Sequence, residues 1–161
     1  MNKTTIGWRE WVALPDLGVE RIKAKIDTGA RTSALHAFDI QVYEERGKHW
    51  VRFAVHPYQR NDTDVQTCVC PIRESRVVTN SGGTQEERLV IETQLTVGVQ
   101  SWPIEVTLTN RDQMGFRMLL GRTALRGHFL IDPGKSFCSK PSAVKASRRL
   151  HSASVHFQEE E

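Results

Sequence analysis

The chain has 161 residues, 39% of them hydrophobic and 25% charged, which suits one compact domain with a real core and leaves too little length for two. Its formal charge of +3 collects at one end: from Lys135 onward lie five of the 22 Lys and Arg and three of the 19 acids, so positions 1–134 hold 17 bases and 16 acids. That near-neutral body gives no broad case for nucleic acid, and no stretch approaches the length needed to span a membrane.

The segment Met1 to Trp8 lacks a basic region followed by an apolar one, and three cysteines (Cys68, Cys70, Cys138) are too few, and odd in number, for a secreted disulfide framework. The reading is cytoplasmic, with free thiols. Along the chain, Val19 to Ile26 alternates apolar and polar residues, with Ile22, Ala24 and Ile26 on one face, and period two means strand. The same pattern predicts strands over Phe38 to Tyr43, Trp50 to Val55, Val65 to Ile72, Arg88 to Val97 and Trp102 to Leu108, separated by turn signals such as Asn80-Ser81-Gly82-Gly83. One short helix is predicted over Arg122 to Arg126, between Gly121 and Gly127. The whole reads as an all-β, closed or partly open barrel with one short helix late in the chain. Residues 1–134 form the domain. Residues 135–161, rich in Ser, Lys, Arg and Glu, are expected to be a flexible tail because they have little apolar surface to bury.

The chemistry centres on Asp27-Thr28-Gly29-Ala30, delivered by the strand that ends at Ile26. Gly29 suits a tight loop that exposes Asp27. Two such loops face to face would let two carboxylates share a proton, one acting as base on a water and the other as acid toward the scissile carbonyl. Asp-Thr-Gly turns up by chance in roughly 3% of chains this long, so context must carry the reading. The context is an alternating strand before the loop, a small residue after it, and downstream the apolar pair Leu119-Leu120 followed by Gly121-Arg122 and the short helix.

With these motifs, and with Ile6-Gly7-Trp8-Arg9-Glu10, Lys23 to Leu35, Arg117 to Arg122 and Asp132-Pro133, the chain resembles the retropepsin-like proteins labelled ATP-dependent zinc proteases, including the RimB-like peptidases. The resemblance implies an acid-peptidase-like barrel with Asp27, Thr28 and Gly29 as the catalytic loop, and Leu120, Gly121 and Arg122 supporting it. It also implies a pathway shared with an ATP-grasp ligase that adds glutamate to proteins or peptides, and hence a peptide or glutamate-extended protein as substrate. With a single Asp-Thr-Gly, the second carboxylate must come from a second copy, giving a homodimer. An acidic substrate needs cations: Arg31 is the first candidate, followed by Arg73, Arg76 and Arg117, with Ala30, Ser33 and His56 as further contacts.

No cofactor is expected. Among His36, His49, His56, His128, His151 and His156 there is no His-Glu-x-x-His, and no phosphate-binding Gly-x-x-x-x-Gly-Lys-Ser/Thr loop occurs. Zinc would have to recruit Cys68 and Cys70, at an unusual Cys-x-Cys spacing, with a histidine such as His56. The alternatives to an aspartic peptidase are a non-catalytic peptide-binding barrel and, third, that zinc hydrolase.

Overall fold

The computed structural model describes residues 3–57, 64–80, 82–110 and 115–139. Twelve strands and one short helix account for the regular structure among them. In chain order the strands are β1 (Thr4–Ile6), β2 (Arg9–Leu14), β3 (Val19–Ile26), β4 (Ser33–His36), β5 (Phe38–Glu45), β6 (Lys48–Val55), β7 (Gln66–Pro71), β8 (Glu74–Thr79), β9 (Gln85–Val97), β10 (Gln100–Thr109), β11 (Met118–Leu120) and β12 (Phe129–Ile131). The helix, α1, is Arg122–Leu125.

Seven strands form the main sheet in the order β10-β4-β11-β3-β2-β9-β8, and β9 also pairs with β10, so the hydrogen bonding returns to its first strand. The return is narrow, because β2 meets β9 through one registered pair, Ala13 opposite Thr96. The six predicted strands correspond to β3, β5, β6, β7, β9 and β10, and the predicted helix to α1.

The alternation in β3 sets one face inward, with Ile22 and Ala24 fully buried and Ile26 nearly so. Burying an aliphatic side chain of this size stabilises the fold by roughly 1.5–3 kcal/mol. Leu14, Leu35, Ile91, Leu95, Met118 and Leu120 complete the centre of the same core. A separate three-stranded sheet, β5-β6-β7, adds Val51, Phe53, Val55, Cys68 and Cys70 to it from the side. Between β2 and β3 the chain reverses through a 3-10 turn over Pro15–Leu17. Gly18 closes that turn at φ +76°, in the left-handed region that glycine enters without strain.

The outward face of β2 and β3 is not bare. Lys23 is buried beneath Trp11, Phe116 and Phe137, its ammonium 5.6–5.9 Å from the three ring centres. Phe137 belongs to residues 135–139, which the sequence reading assigns to a flexible tail. These residues instead run along β2: Trp8 N–H donates to the Lys135 carbonyl at 2.8 Å and Phe137 N–H to the Arg9 carbonyl at 2.9 Å. The fully buried Glu10 then accepts from the N–H groups of Gly7, Cys138 and Ser139 and from the Ser139 hydroxyl, at 2.7–2.9 Å. The remainder of the expected tail, 140–161, lies outside the described residues.

Candidate active site

Asp27 is the first residue beyond β3. Its N–H donates to the Leu120 carbonyl at 2.9 Å, continuing the parallel pairing of β3 with β11 by one step. The loop then ties itself: Gly29 N–H donates to Asp27 Oδ1 at 3.0 Å, and Ala30 N–H to the Asp27 carbonyl at 3.2 Å. One carboxylate oxygen is thereby fixed, and the half-buried Asp27 side chain lines a cleft. Thr28 and Gly29 stand exposed at the tip.

Beneath the loop sits the start of α1. The first N–H groups of a helix have no partner within it, and here the loop supplies them. Arg122 N–H donates to the Ala30 carbonyl at 2.7 Å and Thr123 N–H to the Arg31 carbonyl at 3.1 Å, reinforced by the Thr123 hydroxyl at 3.0 Å. The Arg122 guanidinium reaches the Thr28 carbonyl at 3.0 Å. Gly121 makes this approach possible, because a Cβ there would lie 2.7–2.9 Å from the backbone of Thr32.

The cleft has a volume of about 670 Å³. Asp27, Gly29, Ala30 and Arg31 form one wall, and residues 76–80 of β8 and its following turn form the other. That turn is pinned by Asn80, whose Oδ1 accepts from Gly82 N–H at 2.9 Å and Thr84 N–H at 3.0 Å. The floor is one row across the sheet, Lys25 pairing with Leu119, Leu119 with Ala34 and Ala34 with Thr107; beyond the floor Thr107 pairs with the buried Val90 of β9. One step further along β9, Arg88 lies opposite Arg76 of β8, and both side chains line the cleft.

Of the candidate substrate contacts, Ala30, Arg31 and Arg76 line this cleft. The others fall elsewhere. Ser33 is fully buried and its Oγ accepts from Gly121 N–H at 3.0 Å, so it closes the loop from behind instead of meeting substrate. Leu120 is likewise buried beneath the loop. His56 lies at the end of β6, stacked on Phe38 at 4.5 Å with Nδ1 3.2 Å from the Asp64 carbonyl, away from the cleft lining. Arg73 is held in ion pairs to Glu92 and Glu105 at 3.0 and 2.9 Å, and Arg117 sits just before β11, its carbonyl accepting from His36 N–H; neither lines the cleft. Sequence reasoning missed Lys25, Arg88 and Thr107. Lys25 had a signal, since on a strand it shares the face of Asp27 two residues later. Arg88 and Thr107 had none, because they reach the cleft only through strand pairing.

The chain's residues 5–142 match the family described as RimB-like, retropepsin-like aspartic endopeptidase RimB. The chain belongs to this family. It is also similar to two proteins named probable alpha-L-glutamate ligase: 45% identical over 137 residues to that of Shewanella pealeana and 50% over 132 residues to that of Parasynechococcus marenigrum. Those alignments cover 85% and 82% of this chain but only 30% and 28% of the relatives, so the chain spans about three tenths of their length. Among solved structures, a Legionella pneumophila protein of unknown function matches with a TM-score of 0.70 and 27% identity, over 86% of this chain and 100% of that one. The fold is therefore retropepsin-like, all-β with one short helix.

The zinc alternative raised from the sequence is tested by the donors present, and those among the described residues do not fit a metal. Among the described residues no three His, Cys, Asp or Glu side chains converge. Cys68 and Cys70 face the core from β7, and burial pushes their thiols up to about 12 and about 11, the opposite of what a thiolate ligand requires. No helix among the described residues is long and apolar enough to cross a membrane.

Proposed function

We propose that this chain is an aspartic-type peptide hydrolase in which Asp27 of two copies, meeting across a two-fold axis, activates a water against a peptide or isopeptide carbonyl. The observation that carries the reading is the built loop: a half-buried carboxylate at a strand end, fixed through Oδ1 by Gly29 and braced from below by α1, on the wall of an open cleft. One carboxylate takes the water proton as the oxygen attacks the carbonyl carbon, and the other, protonated, donates to the carbonyl oxygen. Collapse of the tetrahedral intermediate breaks the C–N bond, with a proton passing to the departing nitrogen. The exposure of Thr28 and Gly29 supports the pairing, since both remain available at the tip to a partner loop.

The substrate class proposed is a glutamate-type extension. Arg31, Arg76, Arg88 and Lys25 line the cleft, with Asp27 the single acid among its described lining residues, and similar segments occur within proteins named glutamate ligases. A ligase adding glutamate and a hydrolase trimming it would act in one pathway. The test is incubation of native protein and Asp27→Asn with glutamate-extended peptides, followed by mass spectrometry with and without chelator. The expected result is cleavage by native protein, insensitive to chelator, and a loss on the order of 10²-fold or more in Asp27→Asn. Binding with no turnover by native protein would instead indicate a peptide-binding module, and chelator-sensitive turnover a metal hydrolase.

A further inference from the structure

Of the cations lining the cleft, Arg88 stands apart because it is buried. Its side chain is 7% exposed, whereas that of Arg76 is 32% exposed and Arg31 lies open to solvent. A buried guanidinium needs partners, and Arg88 has them on one side. Nε and Nη2 each lie 3.2 Å from Glu86 Oε1, and Nη1 donates to the Thr107 hydroxyl at 3.3 Å. Thr107 in turn donates to the Ser33 carbonyl at 3.1 Å, and Glu86 accepts from the Thr109 hydroxyl at 3.2 Å. These contacts fix the plane of the fork. A guanidinium carries five N–H donors, so a fixed fork with these partners still has N–H groups for an acceptor in the cleft it lines.

We propose that Arg88 is the specificity-determining residue of the cleft, receiving one acidic side chain of the bound peptide in a subsite floored by Ala34 and Thr107 and walled by Arg76. The inference rests on the peptide-hydrolase reading and deepens it by naming where the acidic side chain is read. Three features favour a carboxylate over a neutral group. Arg88 and Arg76 are cross-strand partners on one face, so their two charges converge on the same space. The acids that orient them, Glu86 for Arg88 and Glu74 and Glu105 for Arg76, do not themselves line the cleft. Finally, the low exposure of Arg88 weakens the screening that makes a surface arginine indifferent to its partner.

The experiment measures binding, so that it does not depend on turnover. Fluorescence anisotropy gives Kd for matched peptides carrying Glu or Gln at each successive position, on the whole 161-residue chain carrying Asp27→Asn and on the same protein with Arg88→Gln and Glu86→Gln together. The paired change removes both charges and leaves two neutral amides able to hydrogen-bond each other, and a thermal melt checks that the shorter side chain at position 88 leaves the fold intact. Arg88→Lys on the Asp27→Asn background serves as a second variant, retaining the charge opposite Glu86 without the fork. At one peptide position, Glu should bind about 10- to 100-fold tighter than Gln, falling to within about threefold in the paired variant and to an intermediate ratio in Arg88→Lys. No preference for Glu in the parent protein, or a preference unchanged in both variants, would overturn the proposal. Neither result would touch the peptide-hydrolase reading, which fails separately if Asp27→Asn retains turnover.

Discussion

Gly121 shows how a single atom decides whether the Asp27 loop is supported. Its φ of −92° is open to any residue, so the constraint is not the backbone angle but the space, already filled by Thr32. Gly121→Ala should therefore cost roughly 1–3 kcal/mol through overpacking and should lift α1 away from the loop carbonyls it holds. A denaturant melt and a kcat measurement on the same protein check both effects, with kcat falling more than the stability loss alone explains. The buried thiols make a second prediction at this scale. Burial raises the thiols of Cys68 and Cys70 from an ordinary value near 9 to about 12 and about 11, so the folded state holds these protons more tightly than the unfolded chain. Their stabilising contribution is complete below about pH 9 and is lost as the pH rises through about 11 and about 12. An alkaline melt series should show that decline. At pH 8 a thiol reagent should label the partly exposed Cys138 first, reaching Cys68 and Cys70 only on unfolding.

At the scale of elements, residues 135–139 act as a strap whose first part bonds to the backbone of Trp8 and Arg9 and whose end is held by one carboxylate, that of Glu10. Removing Glu10 leaves the N–H groups of Gly7, Cys138 and Ser139 without their acceptor. Glu10→Ala is expected to destabilise the domain by about 3 kcal/mol and to raise hydrogen exchange in residues 135–139 above that in β3. Here the limits of sequence reading have physical causes. The strap reads as a tail because Ser136, Cys138 and Ser139 have little apolar surface, yet what holds it is backbone bonding to Trp8 and Arg9, the single ring of Phe137 and hydrogen bonds to a buried acid, none of which leaves a periodic trace. β3 was legible because one of its faces is core and the other polar. β2 was not, because Val12, Ala13 and Leu14 are buried in succession and Glu10 is buried among them. β8 is an edge strand whose Glu74, Arg76 and Thr79 resemble a loop, and it becomes the cleft wall only by pairing with β9. The same division governs the site. Asp27 and the Leu120-Gly121-Arg122 segment could be read as local motifs, whereas Arg88 and Thr107 arrive from strands that are distant in sequence.

At the scale of the whole molecule, one copy supplies one Asp-Thr-Gly loop, and the proposed chemistry needs two carboxylates sharing a proton. The cleft is also open, with Thr28 and Gly29 exposed at its margin, so the proposed chemistry draws its second loop from another copy. A closed C2 pair meets that requirement with one interface used twice. The most direct measurement is subunit mixing: native protein and Asp27→Asn are combined in equal amounts, allowed to exchange, and assayed for cleavage of a glutamate-extended peptide. If Asp27 from both copies forms the centre, only native–native pairs work, and total activity falls to about one quarter of that of native protein at the same total concentration. Activity of about one half, each native subunit working at full rate whatever its partner, would contradict the shared carboxylate pair.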